Sequence, residues 1–426
     1  MRPRRLPRYS QEAATQFFAE SSTISPLDDI AASSTSGALR PAILGPLGPA
    51  QLTCLRSWRK LGLDPLFIHL TQGSGTPGWP GVPGDYLPLS REQLNLPVGR
   101  AQFCAFLSAR GCTGLTCLGE ADARLLRAMQ SVLPCDLWLP SQESHDFLDS
   151  KHRQLELAQV CGFAVLPTWR ADHHLLPMIP EDVFPLVARP DGSGTAQPMF
   201  KIRIVRNARE LSDWLKGFHK LHQPVLLQPL IHGPNLVIHA ATDVTGTPFA
   251  LQAFLVRRKF EGVTLTIEPA PLDESLRNAC IAFCRKAGIH GCLHFELVHD
   301  PRDTIPWFLE VNGRLGGTTG KVYALGFDEP RLLLSAHNLL SIPPTTSTIL
   351  NGNTVCNRLA LGKLLYKMAR RDPRLLDDLS GMPRRWYDLL AGFFLWRDEI
   401  VHFNDLRTTV WYLRDWFSEL LQRKDA

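Results

Sequence analysis

The stretch that most constrains this 426-residue chain runs from Gly291 to Gly320, GCLHFELVHDPRDTIPWFLEVNGRLGGTTG, where acidic, amide, basic and glycine residues interrupt an apolar hairpin pattern. Cys292 to Val298 and Trp307 to Asn312 are short apolar and aromatic runs, and His299 to Pro306 between them supplies turn-forming Asp and Pro. The pattern predicts strand, turn, strand. Side chains alternate faces along a strand, so His294 and Glu296 share a face of the first, Glu310 and Asn312 share a face of the second, and Leu309 and Val311 point into the core. Antiparallel pairing about a turn centre near Asp303 sets Glu296 opposite Glu310, with Cβ atoms roughly 5 Å apart. Two like charges so placed repel unless a divalent cation sits between them. Asn312 adds a neutral oxygen ligand, and the set suits a hard ion such as Mg²⁺, which keeps the rest of its shell for water and phosphate. Arg314 can meet phosphate or carboxylate in a bidentate fork. Gly313, Gly316, Gly317 and Gly320 leave the backbone open to close approach. The plain alternative is a hairpin whose carboxylates face water.

Carboxylates that hold a metal need a packed scaffold behind them. The length suits two or three packed modules, and 44% apolar with 20% charged residues is ordinary globular composition. A net charge of +5 supports anionic small-molecule partners without demanding nucleic acid. Ten cysteines with no Cys-x-x-Cys pair argue against a disulfide scaffold or zinc knuckle, and a cytoplasmic location is expected. No apolar run reaches the ~20 residues that span a bilayer, so no integral membrane segment is expected. Met1 to Ala38 reads as a flexible Ser/Thr-rich tail, and Glu12, Glu20, Asp28 and Asp29 count against a transit peptide.

From Arg40 the chain reads strand, glycine-bearing turn, amphipathic helix, strand, which is a βαβ unit. Helices at 100–110 and 120–130 and strands at 114–118 and 136–139 carry a parallel α/β module to about residue 148. Gly45-x-x-Gly48 lacks a third glycine and carries Pro46 and Pro49, so it does not read as a dinucleotide site. Ser150 caps a helix from Lys151 to Cys161. The buried strand FPLVARP ends at Arg189, where an unpaired cation would be costly, so Arg189 needs an anion. A helix at 208–221 and strands at 225–231, 236–242 and 248–256 follow. Arg257, Arg258 and Lys259 then read as a solvated edge or as an anion contact. Asp273 caps a helix through Ala287 that Gly288 ends, with Cys280 and Cys284 in core packing. Beyond a helix at 329–340 and a linker at 341–353, the chain is helical and aromatic. Trp386, Trp396, Trp411 and Trp416 read there as core packing in preference to a membrane or partner surface.

Asp149-Ser150-Lys151, Ala188-Arg189-Pro190, Asp191-Gly192-Ser193-Gly194-Thr195, the VLLQPLI strand, and Glu296 followed by Glu310-Val311-Asn312-Gly313-Arg314 come in an order that resembles the ATP-grasp superfamily. Arg189 in place of Lys looks like the carbamoyl phosphate synthetase branch. The resemblance runs from Pro41 to about Leu325. It implies an α/β and α+β chain: a tail (1–39), an N-terminal parallel α/β pre-ATP-grasp domain (40–148), an ATP-grasp domain of two α+β lobes (149–345) and a helical C-terminal extension (346–426). It implies Mg²⁺, with Mn²⁺ as a substitute, on Glu296, Glu310 and Asn312. ATP would rest on Lys151, Arg189, Gly192, Ser193 and Gly194, with adenine at Gln228, Leu230 and Ile231 and a lid at 191–197. Arg314 and Arg189 would be catalytic. The activity implied is ligation of a carboxylate to an amine or thiol through an acyl phosphate, on small-molecule substrates, with self-association left open. Two departures stand out: Gly313 replaces the usual Pro, and Gln228 and Asn235 stand where a hinge Glu is frequent. They leave a nucleotide-binding regulator without turnover as the alternative. His294, Arg257, Arg258 and Lys321 are the candidates to face the acceptor.

Overall fold

The computed structural model describes residues 39–46, 48–70, 85–87, 89–171, 177–192, 200, 202–216, 224–260, 263–300, 305–341, 353–369, 382–401, 405–406, 409–410 and 413–414. The N-terminal tail to residue 38, the Gly/Pro stretch 71–84, Ser193, Gly194, residues 342–352 of the linker and most of 402–426 lie outside them.

Short apolar runs buried on both faces are the mark of a parallel sheet flanked by helices. PAIL and GLTC are buried at every position and LFIHL at all but one. They form β1 (Pro41–Leu44), β2 (Leu66–Leu70) and, after β3 (Asp85–Leu87), β4 (Gly114–Cys117), with β5 (Asp136–Leu137) at the edge. The order is β3-β2-β1-β4-β5, all parallel. The strand β3 has no apolar run long enough to announce it. Between the strands lie α1 (Pro49–Lys60), α2 (Arg91–Leu94), α3 (Pro97–Ala109) and α4 (Glu120–Arg127). Strand order reverses between β1 and β4, which opens a crevice beyond their carboxyl ends.

After α5 (Gln142–Leu148) and α6 (Lys151–Val160) come β6 (Ala164–Val165), β7 (Trp169–Ala171), β8 (Leu186–Pro190), β9 (Arg203–Val205), α7 (Ala208–Lys216) and β10 (Val225–Pro229). The small antiparallel sheet β7-β10-β8-β9 has its own core of Leu186, Ala188, Val205, Leu211, Val225 and Leu227. The chain then runs through β11 (Asn235–Thr242), β12 (Pro248–Phe260), β13 (Val263–Ala270), α8 (Glu274–Ala287), β14 (Gly291–His299) and β15 (Pro306–Asn312). Next are α9 (Thr319–Ala324), α10 (Glu329–Ala336), β16 (Val355–Cys356), α11 (Arg358–Ala369), α12 (Met382–Phe394) and β17 (Arg397–Asp398). The large sheet has the order β17-β16-β13-β12-β11-β14-β15-β6. Asp273 caps α8 by accepting from Leu276 N–H at 2.8 Å, and Gly288 ends it at φ 60°.

One apolar cluster joins the parallel sheet to one face of the large sheet through Ile43, Trp58, Trp138, Phe254, Val322 and Phe327. Trp58 also donates from Nε1 to the Pro330 carbonyl at 3.1 Å. On the other face α6 and α8 pack on Phe295, Leu297 and Phe308. The C-terminal segment returns to the sheet edge, where Trp396 packs on Leu265, Cys356, Leu361 and Leu364, whereas Trp386 is exposed. Where the parallel sheet meets the large one, a Cβ at Gly114 would lie 1.9 Å from the Trp138 ring. Gly114→Ala is expected to destabilise by about 1–3 kcal/mol through overpacking. The check is a lower urea midpoint at unchanged slope, with Gly317→Ala, where nothing lies within 4 Å, as control.

Candidate active site

The site begins with the pairing of β14 and β15. Glu296 faces Glu310 and His294 faces Asn312 across the antiparallel ladder. Below Glu296 the register shifts, and Leu297 faces Phe308. Strict alternation would have sent Leu309 and Val311 to the core. The irregularity at Leu309 instead makes Phe308 and Val311 the buried residues and leaves Leu309 half-buried. A bulge of this kind re-aims side chains without ending the strand. Asn312 Nδ2 lies 3.5 Å from Glu296 Oε1.

The two carboxylates are ringed by cations. Lys151 Nζ is 3.6 Å and Arg189 Nη1 3.8 Å from Glu310 Oε2, while Lys259 Nζ is 3.6 Å from Glu296 Oε2. Burial alone would raise the Glu310 carboxyl, but Lys151 and Arg189 outweigh it and hold the group below its ordinary value of 4.5. Burial pulls the Arg189 guanidinium down, against the opposing pull of Glu310 and Glu296. The donors offered to a metal are hard oxygens, two carboxylates and one amide. No group of three or more His, Cys, Asp or Glu side chains that could hold a metal occurs among the described residues. The protein therefore supplies a partial shell, which fits an Mg²⁺ ion that keeps water and phosphate oxygens.

Three contacts bring these cations to the carboxylates. The buried Gln154 on α6 accepts from Val311 N–H at 2.6 Å and donates to the Val311 carbonyl at 3.2 Å, so its amide acts as a strand neighbour to β15. Lys151 lies one helical turn earlier and thereby reaches Glu310. Asp191 fastens the start of α6: its Oδ1 accepts from His152 N–H at 2.8 Å and from Ser150 Oγ at 3.2 Å, and its carbonyl accepts from Lys151 N–H at 3.0 Å. Arg189 is held by Gln228 Oε1 at 2.8 Å and the Leu309 carbonyl at 3.3 Å, and Gln228 donates in turn to Thr168 Oγ1 at 2.9 Å. The Gln228 side chain is thus committed to orienting Arg189. Leu230, the first residue after β10, donates its N–H to the Pro185 carbonyl at 2.9 Å, and Ile231 comes next. Gly192 is half-buried beside Asp191, while Ser193 and Gly194 lie outside the described residues.

Arg314 leads away from the hairpin toward the parallel sheet and donates from Nε to Glu120 Oε2 at 3.2 Å. Glu120 Oε1 lies 3.6 Å from His145 Nε2. Between these walls is a small cleft of about 40 Å³, lined by Glu310, Asn312 and Arg314 together with Glu120 and Arg127 of α4. A Cβ at Gly313 would lie 2.5 Å from Leu148 Cδ1 and 3.1 Å from Pro140 Cγ, which gives a packing reason for glycine there. The candidates for facing an acceptor are otherwise engaged. Arg257 pairs with Glu268 at 2.6 Å, Arg258 is buried against Asp388 at 2.6 Å, and Lys321 is buried against Glu399 at 2.5 Å. His294 is buried and stacked on His239, whose Nδ1 lies 2.7 Å from Glu329. The basic triplet is therefore three separate ion pairs.

Gln154, Thr168, Glu120, Arg127 and His145 carried no site signal in the sequence, and Asp191 entered only as the first residue of the expected lid. Asp191 alone had a local signal, an Asp beside the strand end and before a glycine, which suits a side-chain cap. The others depend on contacts made across long stretches of chain.

The succession of a parallel α/β unit, a small antiparallel sheet and a large mixed sheet is a fold this chain shares with solved ATP-using enzymes. Biotin carboxylase from Campylobacter jejuni, solved as a beta-gamma-ATP complex, superposes at a TM-score of 0.56 with 15% identity, over 74% of each chain. The L-amino acid ligase from Bacillus licheniformis superposes at 0.53 with 17% identity, over 75% of this chain and 79% of that one. By sequence the chain is 28% identical over 166 residues to D-alanine–D-alanine ligase of Pseudomonas fluorescens (strain Pf0-1), 36% of this chain. The chain spans about half the length of that curated relative, 50%. No family model matches.

Two outcomes follow for the site. Gln154→Leu leaves the buried Val311 N–H and carbonyl without their partner. It is expected to cost about 1–3 kcal/mol in urea unfolding and to loosen the Lys151 approach to Glu310. The Glu310 carboxyl, depressed in the folded state, contributes stability that is complete above 4.5 and is lost as pH falls through its folded value. Glu310→Gln should therefore flatten the acid limb of the stability profile, read as the urea midpoint against pH.

Proposed function

We propose that this chain is an ATP-dependent ligase that joins a carboxylate to an amine through an acyl phosphate. The observation that carries the reading is the opposition of Glu296 and Glu310 within a ring formed by Lys151, Arg189 and Lys259. A carboxylate is inert toward an amine until one oxygen becomes a leaving group, and phosphoryl transfer from ATP supplies that change. Bound Mg²⁺ supplies charge neutralisation at the phosphate oxygens, and Glu296, Glu310 and the Asn312 amide would hold it.

The chain's own groups do the rest. Lys151 and Arg189 would cradle phosphate oxygens, and the bonds from Gln228 and Leu309 fix the Arg189 guanidinium before the nucleotide arrives. Gly192 opens the backbone beside that cradle, while the rest of the lid expected at 191–197, Ser193 and Gly194 included, lies outside the described residues. Gln228, Leu230 and Ile231 mark the passage where adenine would lie. Arg314 would orient the reacting carboxylate and exchange its contact with Glu120 for the substrate. The names of the matched proteins support the reading: two are ligases of amino acids, and one was solved with an ATP analogue.

The test is ADP release by the purified protein, with Mg²⁺ and ATP, against pooled carboxylates and amines. Turnover that needs both pools is the expected result. Glu310→Ala should lower it by about 10²-fold or more, the scale of losing an electrostatic contact at the transferring group. Undiminished release by Glu310→Ala would refute the metal assignment. Mg-ATP binding without ADP release across the pools would refute the ligase reading.

A further inference from the structure

The cleft contains one cation that the proposed reaction leaves unused. Arg127 closes α4 and lines the cleft with Glu120 and Leu139, yet it is only 7% exposed. One edge of its guanidinium is satisfied, since Nη1 donates to Gln130 Oε1 at 3.3 Å. The other edge, Nε and Nη2, has no hydrogen-bond acceptor among the described residues. Burial pulls the group down to about 10, against the opposing pull of Cys117 and Asp146. The neighbouring cations of the cleft each have a carboxylate, Lys151 with Glu310 and Arg314 with Glu120. Arg127 has none at ion-pair distance among the described residues.

The unmet edge has a definite complement. Nε–H and one Nη–H of a guanidinium are parallel donors whose spacing matches two oxygens of a carboxylate or phosphate. The position also suits a ligand. Helix α4 starts at the carboxyl end of β4, one of the two strands between which the parallel order reverses; crevices at such ends bind ligands, and Arg127 lines the cleft that continues from there. Glu120, which meets Arg314, and Arg127 are seven residues apart on α4, or about 10 Å along the helix at 1.5 Å per residue. Arg127 therefore stands two turns beyond the point where Arg314 would hold the reacting carboxylate.

We propose that Arg127 anchors a second anionic group, a carboxylate or phosphate, on the acceptor substrate, so that the cleft selects acceptors with two anionic ends. A turn about the outer torsions of Arg127 brings the free edge into the cleft, and the incoming anion replaces the missing acceptor. Which end reacts rests on the ligase reading. The anchoring itself does not.

The experiment measures thermal unfolding of the full chain without nucleotide, at matched ionic strength, with glutarate, O-phosphoserine or butyrate as probes. Glutarate or O-phosphoserine should raise the midpoint and butyrate should not, and the stronger of the two dianions identifies the anchored group as carboxylate or phosphate. Arg127→Gln should abolish the rise, and Arg127→Lys, which keeps the charge but loses the fork, should weaken apparent affinity about tenfold. The proposal is overturned if neither dianion raises the midpoint, if butyrate matches the dianions, or if Arg127→Gln keeps the rise. Should Arg127→Gln not fold, an unchanged response in Arg127→Lys overturns it equally. Mg-ATP binding measured on the same proteins separates the two readings. Its absence in the wild type would sink the ligase assignment while leaving the dianion response to be read, and the Arg127 variants should retain it.

Discussion

Two carboxylates placed opposite each other on an antiparallel ladder are a source of repulsion that the rest of this structure is arranged to relieve. Glu296 and Glu310 could be tolerated as a solvated pair, but they are half-buried, and water alone would screen them poorly. Relief comes from cations carried by three different parts of the chain: Lys151 on a helix, Arg189 on the small sheet and Lys259 on β12, two strands from β14 in the large sheet. The small sheet has a core of its own, places Leu226 in the apolar cluster of the large sheet, and adds a polar link here through Arg189 and the Leu309 carbonyl. A polar link of this kind is strengthened by an added divalent ion and anion. That is the physical sense in which a nucleotide and its metal would complete the fold.

The cations are held in place by groups that never touch the carboxylates. Gln154 substitutes for a strand along the open edge of β15, Asp191 secures the first turn of α6, and Gln228 locks the guanidinium of Arg189. Each satisfies buried donors and acceptors that would otherwise be costly. Positioning of this sort reduces the rearrangement needed when a charged ligand binds.

Much of this was legible in the residues. The pairing of Glu296 with Glu310 could be deduced from the turn centre and the period of two, because the turn and both strands lie within one stretch of chain. Ser150 and Asp273 announced their helices, since capping is a local interaction. Leu309 was misplaced because a bulge depends on what the neighbouring strand and Arg189 require, and alternation carries no record of that. Gln154, Glu120 and Arg127 were silent for a related reason. A glutamine on a helix face or an arginine at a helix end has an ordinary surface reading, and only the approach of a distant strand or cleft gives it another. The triplet Arg257-Arg258-Lys259 looked like one basic patch, yet adjacent strand residues face opposite ways and each found a separate acid.

The buried ammonium of Lys321 sits on the helix that follows the glycine-rich turn after Arg314, and its counter-charge Glu399 comes from the far end of the chain, with Asn357 also bonding that carboxylate at 2.7 Å. A protein shortened to the stretch before residue 353 would lose this carboxylate together with β16 and β17, which pack against the same helix. The aromatic C-terminal segment is accordingly a fastening of the central sheet, and its removal would be felt first at the loop that presents Arg314.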